Sequence, residues 1–183
     1  MELEMGSQSG PILLVGGLME NTVFCLASTE PQANEILTHL RNLGFSASEI
    51  SILLKNKDTR NISVKEDAVR GAKKGGVAGA LGALALTVLT VPALGPLAVA
   101  GPILSILGGA AVGGVVGGLA GGSGALTHIG IPEHHSAQME QKLHEGAILI
   151  AVHSSDPVRR DRALRVFKAA GAEDVLGAED AAA

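Results

Sequence analysis

The run Ile148-Leu149-Ile150-Ala151-Val152, followed by Ser154-Ser155-Asp156-Pro157, decides the fold, because an earlier stretch has the same plan. That stretch is Val23-Phe24-Cys25-Leu26-Ala27, followed by Ser28-Thr29-Glu30-Pro31. Each is an apolar run of strand length ending in residues that start a helix. The hydroxyl or acidic side chain can cap free backbone amides, and the proline can occupy the first helical turn, where its missing N–H costs nothing. After the first copy, Ile36, Leu37, Leu40 and Leu43 recur at helical spacing up to Gly44. After the second, Ala163, Leu164, Phe167 and Ala170 do the same up to Gly171. A glycine can take the left-handed turn that closes a helix. A further strand is expected after each, over residues 50–54 and 174–176.

Residues 23–50 and 148–175 therefore form two matching βαβ halves. Right-handed crossovers place both helices on one side of the sheet, so the expected fold is α+β: a ferredoxin-like βαββαβ sandwich of four antiparallel strands. A short helix, Glu133 to Glu145, is expected as an extra element, with a modest apolar face from Ile131, Ala137, Met139 and Leu143.

A long insertion separates the halves. Ser63 and Glu66 have capping-box spacing and should start a helix through Val64, Ala68 and Val69. Residues 75–127 carry no charge, and Pro92, Gly95, Pro96, Gly101 and Pro102 break the run in its middle. The pattern predicts a helical hairpin with arms of about 17 and 25 residues, or roughly 26 and 37 Å at 1.5 Å per residue. A hydrocarbon core of about 30 Å is within reach of the second arm and marginal for the first.

Glycines recur every four residues at Gly109, Gly113, Gly117 and Gly121, again at Gly114, Gly118 and Gly122, and on the first arm at Gly71, Gly75 and Gly79. Each costs a solvated helix about 1 kcal/mol relative to alanine, whereas small-residue faces suit close helix packing. These ten glycines are the candidate oligomerisation residues. A flexible linker would not carry Leu81, Leu84, Leu86, Val88, Ile103, Leu104, Ile106 and Leu107. The hairpin must leave water, either in a bilayer or in a core shared between subunits. Lys55, Lys57, Arg60, Lys65, Arg70, Lys73 and Lys74 outnumber Asp58, Glu66 and Asp67 just ahead of it, as basic residues do beside anionic headgroups. A solvated loop can have the same composition.

The organisation expected is an N-terminal tail (1–20), the first half (21–62), the hairpin insertion (63–127), the second half (128–177) and a C-terminal tail (178–183). The tail's acidic start and short apolar patch do not make a secretory signal. Hydrophobic residues are 46% of the 183 and aromatic ones 2%, with a formal charge of −4. That balance argues against nucleic-acid partners, which need stacking platforms and positive charge. Cys25 is the only cysteine, so it forms no internal disulfide and reads as a buried packing residue.

Order and wording along the chain resemble the bacterial general stress, heat-induced-stress-like family. The pieces are Val91-Pro92-Ala93-Leu94-Gly95-Pro96, Ala100-Gly101-Pro102, the glycine series, Gly130-Ile131-Pro132-Glu133 with Glu140 in the helix beyond, the run 146–152, and Gly171-Ala172-Glu173-Asp174-Val175. The match covers residues 21–176. It implies a ferredoxin-like domain split by a glycine-rich hydrophobic hairpin, in a family mostly of unknown function, linked to stress and sometimes to membranes. It carries over no catalytic residue. His134 and His135 depart from it, standing where acidic residues are expected.

His128, His134, His135 and His144, with Glu140 one turn before the last, could in principle hold a metal, but their spacing matches no recognised ligand set. They read as solvated or pH-responsive side chains. Ser28-Thr29 and Ser154-Ser155 could offer amides to an anion but fit ordinary capping. Glu173-Asp174 reads as a solvated turn. No enzyme, cofactor, metal or small-molecule substrate is expected. The expected partner is a second copy of the chain, with the lipid bilayer beside it. The expected location is the cytoplasmic face of a membrane, or the cytoplasm where the hairpin is buried in a soluble oligomeric scaffold. A metabolite-sensing domain with ligand between subunits is a third, weaker reading.

Overall fold

The computed structural model describes residues 21–55, 87–91, 95–105, 107 and 126–177. Both halves of the repeat form where their signals place them. Strand β1 (Thr22–Ala27) leads into helix α1 (Glu30–Asn42) and strand β2 (Ile50–Lys55). Helix α2 (Glu133–Glu145) precedes strand β5 (Ile148–His153), helix α3 (Pro157–Ala169) and strand β6 (Glu173–Leu176). Thr29 caps α1 by accepting from the Gln32 N–H, and Asp156 rather than a serine caps α3 through the Val158 N–H. Gly44 and Gly171 both take positive φ, at 83° and 67°, as closing residues must.

The insertion departs from its expected form. Residues Thr87–Val91 and Gly95–Ala100 are not helix and turn but strands β3 and β4, paired antiparallel from Thr87↔Val99 to Val91↔Gly95. The cause is local. Four of the five residues of Thr87-Val88-Leu89-Thr90-Val91 are β-branched, which disfavours a helix and suits a pleated strand. Gly95, at φ 77°, supplies the left-handed residue that closes the hairpin. Pro96 lies outside the β2–β4 register, which covers Leu97 to Ala100, so its missing N–H breaks no bond to β2.

Among the described residues the sheet therefore has six strands rather than four, in the order β3-β4-β2-β5-β1-β6, with every neighbouring pair antiparallel. Beyond β4, residues 103–105 and 107 are helical, and Thr127–Ile129 forms a 3-10 turn before α2. The capping-box helix from Ser63 and all ten glycines of the proposed packing faces lie outside the described residues. So do the basic residues other than Lys55, and both tails.

Strand alternation divides the core into two clusters, one on each face of the sheet. On one face Val23, Cys25, Ile50, Ile52, Ile150 and Val152 pack against α1 and α3 through Ile36, Leu37, Leu40, Ala163 and Phe167. On the other, Phe24, Leu26, Leu53, Leu97, Val99 and Leu149 meet α2 and the two stretches that flank residues 108–125 through Met139, Leu143, Ile103, Leu107, Leu126 and Ile129. Burial on both faces explains why β1 and β5 read as unbroken apolar runs. Helix α2 turns Ser136, Met139, Glu140 and Leu143 inward, a strict three-and-four spacing, so the expected contact Ala137 faces solvent. Leu43, expected in the α1 face, is 45% exposed because the helix ends before it.

Candidate functional site: the polar anchors of the insertion

Three neighbouring strands bring one polar residue each to the rim of the face that the insertion covers. β1 supplies Thr22, β5 supplies His153 and β2 supplies Ser51. Thr22↔His153 is a register pair, and Ser51 pairs with Ala151 two residues back along β5. His153 Nδ1 lies 2.9 Å from Thr22 Oγ1, and Nε2 lies 2.8 Å from Ser51 Oγ. Ser51 Oγ also accepts the Ile103 N–H at 3.0 Å. Burial pushes the His153 pKa down to about 4, so the imidazole is neutral at pH 7, with one ring nitrogen donating and the other accepting.

A serine 2.8 Å from a histidine is the spacing of a nucleophile and its base. Here it cannot act as one. Ser51 is fully buried, and the chain crosses directly above it at Gly101. A Cβ on Gly101 would stand 2.8 Å from Ser51 Oγ and closer still to the Ile50 carbonyl oxygen, so no substrate atom fits between them. The row serves as an anchor that fixes where the chain leaves β4.

A second anchor holds the return. Glu140, 7% exposed on α2, accepts from Ser136 Oγ at 3.3 Å and from the Leu126 N–H at 3.5 Å. One buried carboxyl group thus holds both the backbone at Leu126 and the first turn of α2. Residues 108–125, which join the two anchors, carry no charge.

The residues singled out from sequence lie elsewhere. His134 and His135 lie with ring centroids 4.2 Å apart and planes tilted by 46° on the first turn of α2. His144 Nδ1 pairs with Lys55 Nζ at 3.0 Å, and of His128 only the backbone is described. Among the described residues no group of three His, Cys, Asp or Glu side chains converges on a metal position. Cys25 is fully buried, and burial raises its thiol pKa far out of the reactive range. At the helix starts, Ser28 Oγ donates to Glu173 Oε1, and Ser154 Oγ accepts the Asp156 N–H.

Glu173 and Asp174 begin β6 rather than forming a free turn. Both pair with Lys142, at 2.7 and 2.8 Å. Hydrogen bonds to Asp174 and Glu173 raise the Lys142 pKa, and those from Lys142 and Ser28 lower that of Glu173. Thr22, Ser51, Gly101 and His153 were not legible as a group from sequence, since only cross-strand register brings them together. The one signal was a histidine at the end of an apolar run, in phase with Leu149 and Ala151.

Among the described residues no helix is long and apolar enough to cross a membrane. No family model, curated protein or solved structure matches the chain.

Proposed function

We propose that this chain is a non-enzymatic, membrane-associated protein of the stress type, in which a ferredoxin-like platform holds an uncharged, glycine-rich segment against a lipid surface and self-associates through it. The observation that carries the reading is that Leu107 and Leu126, which bracket residues 108–125, are buried in the same apolar cluster. Support for the ferredoxin-like platform comes from the order β2-β5-β1-β6, which two successive βαβ halves generate when both crossover helices lie on one face. The stress-type assignment rests on the motif resemblance.

Anchored ends change the geometry expected from sequence. Eighteen residues that leave and return have about nine each way, roughly 13 Å as helix, against a hydrocarbon core of about 30 Å. Ahead of β3 the uncharged run shortens to residues 75–86, or roughly 18 Å of helix. Both lengths fit a segment that dips into one leaflet rather than one that spans. The basic residues from Lys55 to Lys74 would lie at the headgroups, each adding about 1 kcal/mol on an anionic surface.

A second reading, a soluble homo-oligomeric scaffold, places the same segments in a core shared between copies. The two are separated by flotation with neutral and anionic lipid vesicles, comparing the full chain with a variant whose residues 108–125 are replaced by an equal length of Gly, Ser and Glu. The membrane reading expects the full chain to float with anionic vesicles and the variant to stay behind. A full chain that floats with neither, and runs as a defined oligomer without detergent, overturns it in favour of the scaffold.

A further inference from the structure

The two edges of the sheet end in opposite ways. Strand β6 has four residues, shifts register against β1 between Phe24 and Leu26, carries Asp174 at φ 44°, and starts with an acidic pair tied to Lys142. Short length, a bulge and charge are the devices that stop an edge from pairing with another chain. Strand β3 has none of them. Its five residues pair in regular register with β4, and its other side has no strand among the described residues. No charged residue lies between Lys74 and Glu133.

We infer that the open edge of β3 is a dimerisation surface, where a second copy of this chain adds its own β3 antiparallel and continues the sheet across a two-fold axis. Symmetric pairing sets every residue of an edge against the same edge, so like charges would meet. An edge without charge, flanked by uncharged chain on both sides, is the composition such pairing needs.

The two termini and residues 75–86 are poor occupants. A strand outside β3 lies five strand spacings from β1, about 24 Å. The apolar residues 12–15 could cover that distance through residues 16–21 only as a straight line, at about 3.4 Å per residue. Helices on both faces of the sheet make the real path longer. Residues 178–183 start one spacing farther away, beyond β6. Residues 75–86 are near enough, but Val77 is their only β-branched residue among glycines, alanines and leucines, a composition depleted in strands.

The interface is separate from the lipid contact proposed above, so the two can fail separately. The test is the mass of the full chain by sedimentation velocity, with and without mild detergent, beside the double variant Val88→Lys and Thr90→Lys. The expected result is about a twofold fall in mass for the variant, with its far-ultraviolet circular dichroism and melting transition retained. As a check independent of charge, single cysteines scanned along Thr87–Val91 should cross-link between chains on oxidation only at the residue nearest the two-fold axis, where a side chain meets its own copy, with the wild-type chain staying uncross-linked because Cys25 is buried. A wild-type chain that is monomeric at every concentration overturns the proposal. So does a lysine variant of unchanged mass, or a chain that dimerises only after residues 1–20 are removed. The variant lacking the native 108–125 should still dimerise, which distinguishes this interface from the glycine faces.

Discussion

On either side of strands β1 and β5 the sheet is finished by different chemistry. Toward β6 the contacts are charged and wet: Lys142, Glu173 and Asp174 pair at the surface, with Ser28 as a neutral fourth member. Toward β4 they are neutral and more deeply set: buried Ser51 and Thr22 bond to part-buried His153 in a row beneath Gly101, and the apolar residues flanking 108–125 close over the face. Screening by water and salt makes the first kind of contact weak and its loss tolerable, whereas a buried polar group that loses its partner has no water to replace it. The insertion is therefore held by the stronger side, and the guarded edge belongs to the weaker one.

Substituting Gly101 should produce the largest effect. Gly101→Val puts a side chain at φ 82°, with its Cβ against the Ile50 carbonyl and Ser51, so the chain must lift off β2. A loss of about 3–5 kcal/mol is expected by urea denaturation. An unchanged midpoint would mean that the neutral side does not clamp the insertion.

Acid acts on the same side next. An ordinary histidine titrates near 6.5, and burial lowers His153 to about 4, so the unfolded chain binds the extra proton first. The contribution of neutral His153 is complete above pH 6.5 and is lost as pH falls from there toward 4, about 3 kcal/mol in all. His153→Gln should flatten the stability profile across that window. A wild-type profile already flat there would remove the anchor's titration from the account.

Cutting one hydroxyl compares the sides directly. Ser51→Ala leaves the Ile103 N–H and a ring nitrogen of His153 without a partner and should cost about 1–3 kcal/mol, independent of salt. Lys142→Ala, on the charged side, should cost under about 1 kcal/mol and less at high salt. Equal losses would erase the distinction.

How much of this was legible in the sequence follows the range of the signals. The two halves were readable because strand, cap, proline and closing glycine all lie within a few residues of one another. Helix α2 was readable to its ends, since Pro132 and Gly146 bracket it. The β3–β4 hairpin was misread because an uncharged run broken by Pro92, Pro96 and Pro102 resembles two helices and a turn. The β-branched content of residues 87–91 was the signal that mattered. Thr22 and Ser51 lie on separate strands of the first half, and the whole insertion separates both from His153. Their meeting depends on a register that no local pattern reveals. Gly101 looked like one breaker among several, and its role emerges only from the carbonyl it passes.

Amide hydrogen exchange measured across a range of protein concentrations tests the contrast between the two edges most directly. Protection of the Thr87–Val91 amides should rise with concentration, as a second chain closes that edge, and protection of Glu173–Leu176 should stay constant. Exchange at β3 that is indifferent to concentration, or a rise shared equally by both edges, would contradict the account.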